Sequence, residues 1–320
     1  MIKDKNIGFI GIGNLGFNLA NNILLAGYNL FIYDIDVKKG KKLLKKGATR
    51  CDNLKEVVEN TSIIINCLPN PKAVEKVVLG KGGLVNFINS KHLIIECSTT
   101  DEEQIIKLSK KIQSKGANYL ESPLTGGEHR SVTGNIAILT SGKRSSFNRA
   151  FNILSVIGYD IIFLGNKFGS ASTIKVLTNY LASINLLSIS EVFMICKKYR
   201  INLKSVYEAI RISSGNSFVH TTEGQVILSG SMDAKFTLDL ICKDLKLVNK
   251  LKNKFNIPSK LIPEVYKNFK NAETFLGEKA FSTEVVKLLE IKCKEKLRSK
   301  GFPNQLKDQE QRKKGQEIKY

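Results

Sequence analysis

The sequence has few of the residues that usually build metal sites. It contains six cysteines and three histidines in 320 residues, and no two cysteines form a Cys-x-x-Cys pair. Zinc sites depend on closely spaced cysteine and histidine ligands, so this spacing argues against one. Scattered cysteines of this kind are usually buried, reduced thiols. We therefore predict no metal centre.

Signals for secretion, membrane insertion and nucleic-acid binding are also lacking. The N-terminal residues lead directly into an apolar strand, without the hydrophobic stretch of a signal peptide. The most apolar segment, residues 180–196, is interrupted by polar residues and Glu191, which favours a buried helix over a membrane span. The net charge is +21, but the lysines are spread along the chain and no arginine-rich block occurs. We predict a cytoplasmic protein whose partners include neither a membrane nor a nucleic acid.

The first half of the sequence alternates strand and helix patterns, whereas the second half is helical. Short apolar runs such as NIGFI, IIINC and LIIEC are separated by segments with helical periodicity. This alternation predicts an α/β fold, with an N-terminal Rossmann-type doubly wound parallel sheet followed by an all-helical C-terminal domain. We place a dinucleotide-binding domain at residues 1–164 and a helical substrate and dimerisation domain at 165–296. The polar residues 297–320 are expected to form a flexible tail.

A glycine-rich turn joins the first strand to the first helix. Gly11, Gly13 and Gly16 form the G-x-G-x-x-G pattern between them. In a dinucleotide-binding loop the first glycine permits the tight turn, the second lets the backbone approach a pyrophosphate, and the third lets helix and strand pack closely. The helix start, with Asn14 and Leu15, supplies N–H donors to the anion. The motif in this context predicts a bound dinucleotide.

The second strand ends in Asp34, at the spacing expected for a carboxylate that accepts hydrogen bonds from the adenosine ribose. A carboxylate there repels a 2′-phosphate, so NAD is favoured as the cofactor and NADP is less favoured. Lys38 and Lys39 follow closely and would weaken this preference. The alternative is that Asp34 belongs to the N-cap region of a surface loop without a ligand.

One lysine stands alone in an apolar helical segment. Lys175 is the only charged residue between positions 168 and 190, although a quarter of the chain is charged. Burying an ammonium group is costly, so its presence calls for a reason. Asn179 lies four residues further on and therefore projects from the same helical face.

Seven segments together resemble the β-hydroxyacid dehydrogenases, the family that includes 3-hydroxyisobutyrate dehydrogenase and tartronate semialdehyde reductase. Each segment is weak evidence alone, but their order and spacing are specific, and the resemblance extends to about residue 293. The segments are GFIGIGNLG at the start, CLPN at 67–70, ECSTT at 96–100, SPLTGG at 122–127, GSASTIKVLTN at 169–179, KDL at 243–245 and FST at 281–283.

The resemblance implies a role for each matching position. Lys175 occupies the place of the catalytic lysine, acting as general acid and base, and Asn179 that of its partner. The positions implied to hold the substrate carboxylate are Thr125, Gly126 and Gly127. Those implied to contact the cofactor, beyond the glycine turn and Asp34, are Leu68, Pro69, Thr99 and Lys243.

The chain also departs from the family pattern. Thr125 replaces the usual serine before the two glycines, which keeps the hydroxyl group and adds a methyl group. Glu128, His129 and Arg130 replace smaller residues after the glycines, and two placements stay open for them: in the pocket or facing solvent. These departures affect the substrate more than the class of reaction.

The function implied by the resemblance is reversible hydride transfer between NAD(P) and a small anionic hydroxy acid or semialdehyde. Candidate substrates are of the 3-hydroxyisobutyrate, tartronate semialdehyde or succinic semialdehyde type, and a homodimer or homotetramer is expected. The alternative is a non-catalytic dinucleotide-binding module that acts through protein or nucleic-acid contacts. The presence of Lys175, Asn179 and the Thr-Gly-Gly element favours the enzyme. A phosphogluconate-type enzyme would need a longer chain, and imine-reducing relatives typically replace the lysine.

Overall fold

The computed structural model describes residues 5–320. It divides into two compact units. The sheet unit comprises the chain up to Lys175 together with Asp308–Tyr320, and the helical unit comprises Val176–Lys307. This division lies eleven residues after position 164, because the sheet unit includes the first six residues, 170–175, of a long helix.

The sheet unit is built on a mostly parallel sheet. Its strands are β1 (Asn6–Ile10), β2 (Asn29–Tyr33), β3 (Thr49–Arg50), β4 (Ile63–Asn66), β5 (Leu93–Glu96), β6 (Asn118–Glu121), β7 (Leu124–Thr125), β8 (Ile136–Gly142), β9 (Gly158–Phe163) and β10 (Gln316–Ile318). Their order is β10-β9-β8-β6-β5-β4-β1-β2-β3, with β7 paired to β8. The six neighbouring strands β6-β5-β4-β1-β2-β3 are parallel to one another, and β8 runs antiparallel to β6. This is the predicted Rossmann-type arrangement.

Helices cover both faces of the sheet. They are α1 (Asn14–Leu25), α2 (Lys41–Leu44), α3 (Leu54–Asn60), α4 (Pro71–Leu79), α5 (Glu102–Gln113), α6 (Glu128–Thr133) and α7 (Arg144–Ile157), with a 3-10 turn at Leu84–Asn86. Alternate residues of β1 enter different clusters: Ile7 and Phe9 pack with α1 and α7, whereas Ile10 packs with α3, α4 and α5. Because both faces are buried, the central strands are apolar throughout rather than alternating.

The second half is helical, as predicted. Its helices are α8 (Ser170–Lys198), α9 (Leu203–Arg211), α10 (Phe218–Thr221), α11 (Glu223–Ser229), α12 (Leu238–Lys254), α13 (Leu261–Leu276) and α14 (Val286–Cys293), with a 3-10 turn at Ser282–Val285. Phe193, Ile227 and Phe269 are fully buried in one cluster. The helical unit therefore has a hydrophobic core of its own.

Helix α8 combines a buried face with an exposed apolar face. Ile174, Leu177, Leu181 and Ile195 are exposed on it, and their spacing of three, four and fourteen residues places them along one side. Within residues 5–320, α8 alone is long and apolar enough to cross a membrane, a test that the core helix of a soluble protein also passes.

The end of the chain, where a flexible tail is expected, contains a short strand with side-chain contacts to the sheet unit. Strand β10 pairs in parallel with β9 at the edge of the sheet, and Gly315 donates to the carbonyl of Ser155. Both guanidinium Nη atoms of Arg144 donate to the Glu317 carboxylate, at 2.6 and 2.8 Å. A two-pronged arginine–carboxylate contact is geometrically specific, so this polar segment has defined partners despite its composition.

Candidate active site

The glycine turn has the geometry of an anion-binding loop. Gly11 has a φ of +94°, and a Cβ atom there would lie 2.3 Å from the carbonyl oxygen of Cys67. A Cβ atom on Gly16 would lie 2.0 Å from the carbonyl oxygen of Gly11, whereas one on Gly13 would meet nothing within 4 Å. Helix α1 starts at Asn14 with no capping side chain and no acidic residue in its first turn. The turn thus leaves open space at a helix N-terminus whose dipole favours an anion.

Asp34 lies directly after β2 and fastens the glycine turn. Its Oδ2 accepts a hydrogen bond of 2.7 Å from the backbone N–H of Ile12, and its Oδ1 accepts one of 2.8 Å from the N–H of Asp36. Each carboxylate oxygen has a second lone pair, so these bonds leave acceptor capacity for a ribose hydroxyl. The sequence predicted the ribose contact but not this structural role.

The loop after β4 lies against the glycine turn. A Cβ atom on Gly11 would come within 3.0 Å of a methyl group of Leu68, and the N–H of Leu68 donates to Oγ of Ser98 at 2.8 Å. Thr99 follows at the end of β5 and is half-buried, while Pro69 is exposed. Because β1, β4 and β5 are neighbouring parallel strands, their carboxyl ends bring these predicted cofactor contacts to one edge of the sheet.

A buried carboxylate lies beneath this edge. Glu96 is fully buried, and its carboxylate accepts hydrogen bonds of 3.0 Å from Nδ2 of Asn66 and from the N–H of Ser98. Burial raises the pKa of Glu96 to about 7, although these hydrogen bonds oppose the shift. Burial also raises the pKa of the neighbouring Cys67 thiol to about 12, so this thiol is protonated and poorly nucleophilic at neutral pH.

The Thr-Gly-Gly element forms a turn that needs its glycines. Thr125 ends β7, which pairs with β8 through Thr125 and Ala137. Gly126 and Gly127 follow with φ values of +118° and +85°, a region that side-chain-bearing residues rarely occupy. A Cβ atom on Gly127 would also lie 2.9 Å from the His129 ring. The element therefore presents two glycine backbones and one hydroxyl group in a fixed turn.

The residues after this turn contact the C-terminal segment. Arg130 pairs with Glu310, with Nη2 and Oε1 2.7 Å apart, and Asn135 donates to Asp308 at 2.8 Å. His129 is half-buried, not exposed, and burial lowers its pKa, with Asp308 opposing the shift. Helix α6 is thus held by the end of the chain, which accounts for Arg130.

Lys175 is buried, with 8% of its surface exposed, in the second turn of α8. Asn179 lies one turn further along the same helix and is half-buried. In the helical unit, Nδ2 of Asn179 donates a hydrogen bond of 2.6 Å to Oδ2 of Asp244, and Oδ1 of Asp244 lies 3.3 Å from Nζ of Lys243. The predicted residues Asn179 and Lys243 are therefore joined through a carboxylate that the sequence reasoning missed.

Two family models match nearly the whole chain. The NAD binding domain of 6-phosphogluconate dehydrogenase matches residues 6–165, and the NAD-binding region of NADP-dependent 3-hydroxyisobutyrate dehydrogenase matches residues 169–289. The 2-(hydroxymethyl)glutarate dehydrogenase of Eubacterium barkeri is 30% identical over 259 residues, which cover 81% of this chain and 86% of the relative. The chain belongs to the β-hydroxyacid dehydrogenase family.

Other relatives of this dehydrogenase agree in chemistry and fold. The 3-sulfolactaldehyde reductase of Escherichia coli is 28% identical over 257 residues, which cover 80% of this chain and 86% of the reductase. A solved structure described as Psf3 in complex with NADP+ and 2-OPP has a TM-score of 0.82 at 22% identity, covering 88% of this chain and 99% of that one. The chain is an NAD(P)-dependent dehydrogenase or reductase acting on CH–OH groups, and the enzymatic interpretation fits better than a non-catalytic module.

The relatives do not support the expectation that NADP is the less favoured cofactor. One matched family model carries an NADP-dependent name, and one similar structure contains NADP+. A nicotinamide dinucleotide is established at the level of the family, and the choice between the two forms is not. The preference argued from Asp34 therefore stays a prediction.

Two buried acidic residues of this dehydrogenase were missing from the sequence analysis. Glu96 lies inside the ECSTT segment and Asp244 inside KDL, yet only their neighbours were singled out. For Glu96 a signal existed, since it directly follows an apolar run and an acidic residue there is costly to bury without a partner. Asp244 follows Lys243 and has no such signal. In residues 5–320 no group of three or more His, Cys, Asp or Glu side chains is suited to hold a metal ion.

Proposed function

We propose that this dehydrogenase transfers a hydride between a nicotinamide dinucleotide and a small hydroxy acid or the matching semialdehyde, with Lys175 as general acid and base. The observation that carries the proposal is the burial of Lys175, 8% exposed, in the family's lysine position one turn before Asn179. Structural lysines are rarely buried to this degree, because an ammonium group loses its hydration there.

The dinucleotide fits the residues that are present. The open space at Gly13 and the uncapped start of α1 suit a pyrophosphate, and Leu68 and Thr99 line the same edge of the sheet. When bound, the dinucleotide supplies the hydride acceptor or donor. The protein's part is to orient it and to exclude water.

Substrate binding is assigned to the Thr-Gly-Gly element. The left-handed backbone of Gly126 and Gly127 and the hydroxyl group of Thr125 suit a carboxylate, because N–H and O–H donors bind anions without adding a cation. The neighbouring Arg130 is paired with Glu310. Its guanidinium group is engaged there, so it is not assigned to the substrate.

Lys175 moves the proton that accompanies hydride transfer. In oxidation its neutral amine takes the proton of the substrate hydroxyl group; in reduction its ammonium group donates a proton to the developing alkoxide. Asn179 orients this exchange by hydrogen bonding, without contributing charge. Its own side chain is held by Asp244, at 2.6 Å.

NAD is proposed as the preferred form of the cofactor. Asp34 and Asp36 place two carboxylates after β2, and both would repel a 2′-phosphate group. Lys38 and Lys39 are exposed on the same loop and act in the opposite direction. Asp34 is the closer to the glycine turn through its bond to Ile12, which is why its charge is given the greater weight.

A second copy of this chain is proposed as the partner of the exposed apolar side of α8. Ile174, Leu177, Leu181 and Ile195 lie along that side, and apolar stripes of this kind are usually covered in an assembly. The proposal is a homodimer or homotetramer, while the cytoplasmic location argued from the sequence stays a prediction. Light scattering without detergent tests it, and a monomer would contradict it.

The proposed activity is tested by a substrate screen. Small hydroxy acids and semialdehydes, with and without a carboxylate, would be assayed with NAD and with NADP at matched concentrations. We expect turnover only with the anionic compounds and a higher kcat/KM with NAD. Equal rates with the uncharged alcohols would contradict the proposal that the Thr-Gly-Gly element binds a substrate carboxylate. Dinucleotide binding with no turnover of any compound would favour the non-catalytic module.

A further inference from the structure

A further buried carboxylate, besides Glu96 and Asp244, lies outside the site described above. Glu121 ends β6 and is fully buried. It stands four residues before Thr125, so the same strand leads into the Thr-Gly-Gly element. No motif in the sequence singled it out, and the proposed chemistry does not use it.

The partners of Glu121 come from the start of α8. Its Oε2 accepts hydrogen bonds from the N–H of Ser172 at 3.1 Å and from Oγ of Ser172 at 2.7 Å. Its Oε1 accepts from the N–H of Gly169 and from Oγ of Ser141. One carboxylate from a strand 48 to 51 residues away thus satisfies backbone donors that a helix start leaves without partners.

Ser141 completes the attachment from β8. Its Oγ donates to Glu121 and accepts a hydrogen bond of 3.1 Å from the N–H of Ala171. The first turn of α8 is therefore fastened to the ends of two strands. A negative charge at this position is also favourable because it faces the positive end of the helix dipole.

This attachment lies next to the proposed acid and base. Ser172 is three residues before Lys175, so the two lie about one helical turn apart. A rotation or translation of the first turn moves Lys175 with it. The chain continues from the end of β6 into the Thr-Gly-Gly element. Glu121 therefore connects the substrate-binding turn with the helix start that carries Lys175, both within the sheet unit.

We propose that Glu121 is a positioning residue, which sets the helix of Lys175 relative to the substrate-binding turn. The inference rests on the proposed function of Lys175. Burial raises the pKa of Glu121, while its hydrogen bonds with Ser141, Ser172 and Gly169 oppose the shift. Four donor groups converge here, the N–H groups of Gly169 and Ser172 and the hydroxyl groups of Ser141 and Ser172. A carboxylate can accept from all four.

The test compares Glu121→Gln with Glu121→Asp. The amide turns one oxygen into a donor that opposes at least one donor of the helix start, whereas the shorter acid keeps the charge and both acceptors. We expect Glu121→Gln to lower kcat about 10- to 100-fold, with dinucleotide affinity within about twofold, because small misplacements of a catalytic group have effects of this size. Glu121→Asp should recover part of the loss.

A structural readout that does not depend on activity accompanies the kinetics. Hydrogen–deuterium exchange of peptides covering residues 166–178 should be faster in Glu121→Gln, since the N–H groups of Gly169 and Ser172 bond to different carboxylate oxygens and one of them loses its acceptor. Ser172→Ala should show a smaller effect of the same kind. In the double variant the two effects should be less than additive, because both act through one contact.

Asn53→Ala is the matched control. Asn53 caps α3 by accepting from the N–H of Glu56 at 3.0 Å, and α3 carries no residue of the proposed site. This variant should weaken a helix start of the same unit and leave kcat within about twofold. If Glu121→Gln lowers kcat no more than Asn53→Ala does, or if exchange at residues 166–178 is unchanged, the positioning role is wrong.

Failure of the proposed function is recognisable separately. Lys175→Ala is measured in the same assay, and full activity of that variant would overturn the role of Lys175. The exchange experiment would still decide whether Glu121 holds the start of α8. A kcat loss in Glu121→Gln together with an inactive Lys175→Ala supports both.

Discussion

Nδ2 of Asn179 donates a hydrogen bond of 2.6 Å to Oδ2 of Asp244, whose other oxygen lies 3.3 Å from Nζ of Lys243. Asp244 is 2% exposed, so its charge depends on these two partners. The carboxylate therefore fixes the side chain that we assign as the partner of Lys175.

Asp244→Asn should reduce both stability and turnover. The amide keeps the shape but removes the charge that balances Lys243, so we expect a loss of about 1–3 kcal/mol in the free energy of unfolding. We also expect kcat to fall, because Asn179 loses its charged acceptor. Urea unfolding and steady-state kinetics measure the two effects.

Asp239→Asn is the control for this variant, since Asp239 lies on the same helix and contacts Lys279 at 2.6 Å in a more exposed position. Asp239→Asn should lower the free energy of unfolding by less than about 1 kcal/mol and leave kcat unchanged. Equal losses in the two variants would count against a particular role for Asp244.

Lys175→Ala should abolish most of the turnover and spare cofactor binding. Removal of a general acid and base lowers kcat about 10²- to 10⁴-fold, whereas the glycine turn and Asp34 are unaffected. Lys197→Ala, in the last turn of the same helix, is the matched control and should keep its activity. Fluorescence titration with the reduced dinucleotide checks binding. A Lys175→Ala enzyme with near-normal kcat would refute the assignment.

The glycine turn offers a pair of substitutions with opposite consequences. Gly16→Ala places a methyl group 2.0 Å from the carbonyl oxygen of Gly11, so it should lower the melting temperature even without cofactor. Gly13→Ala meets nothing within 4 Å, so the free protein should melt normally. Its methyl group would instead occupy the proposed pyrophosphate position, and we expect cofactor affinity to drop about tenfold or more. Normal affinity in Gly13→Ala would show that the anion binds elsewhere.

Much of the sheet and of the cofactor edge could be predicted from the sequence, for a physical reason. Gly11 and Gly16 make contacts with residues that are close in sequence or on neighbouring strands, and strand–helix alternation determines which strands are parallel. Local pattern and geometry coincide there, so the glycine turn, Asp34 and Leu68 lie at one edge of the sheet as expected.

The buried carboxylates and the C-terminal segment could not be predicted in the same way. The partners of Glu121 are 20 to 51 residues away, and Asn179 and Asp244 are 65 apart. Nothing in the polar composition of residues 297–320 indicates that Glu317 meets Arg144 or that β10 pairs with β9. Such pairings depend on the complete fold, and one sequence read locally contains no measure of them.

The pH dependence of stability provides a last prediction, from Glu96. Burial raises the pKa of this carboxyl group from 4.5 to about 7 in the folded protein. Between these values the folded protein holds a proton that the unfolded chain has lost, so stability falls as the pH rises from below 4.5 to above 7. The contribution is on the order of 3 kcal/mol.

Glu96→Gln should flatten this pH dependence. The neutral amide does not titrate, and its N–H group can donate to Oδ1 of Asn66, a buried acceptor with no partner in the structure. Urea unfolding at pH 5 and pH 8 measures the difference, with Glu75→Gln, an exposed carboxylate paired with Lys107, as the control. The wild type and the control should lose more stability between the two pH values than Glu96→Gln does. The same slope in all three proteins would mean that Glu96 is ionised in the folded state, and that Asn66 and Ser98 stabilise its charge more strongly than burial opposes it.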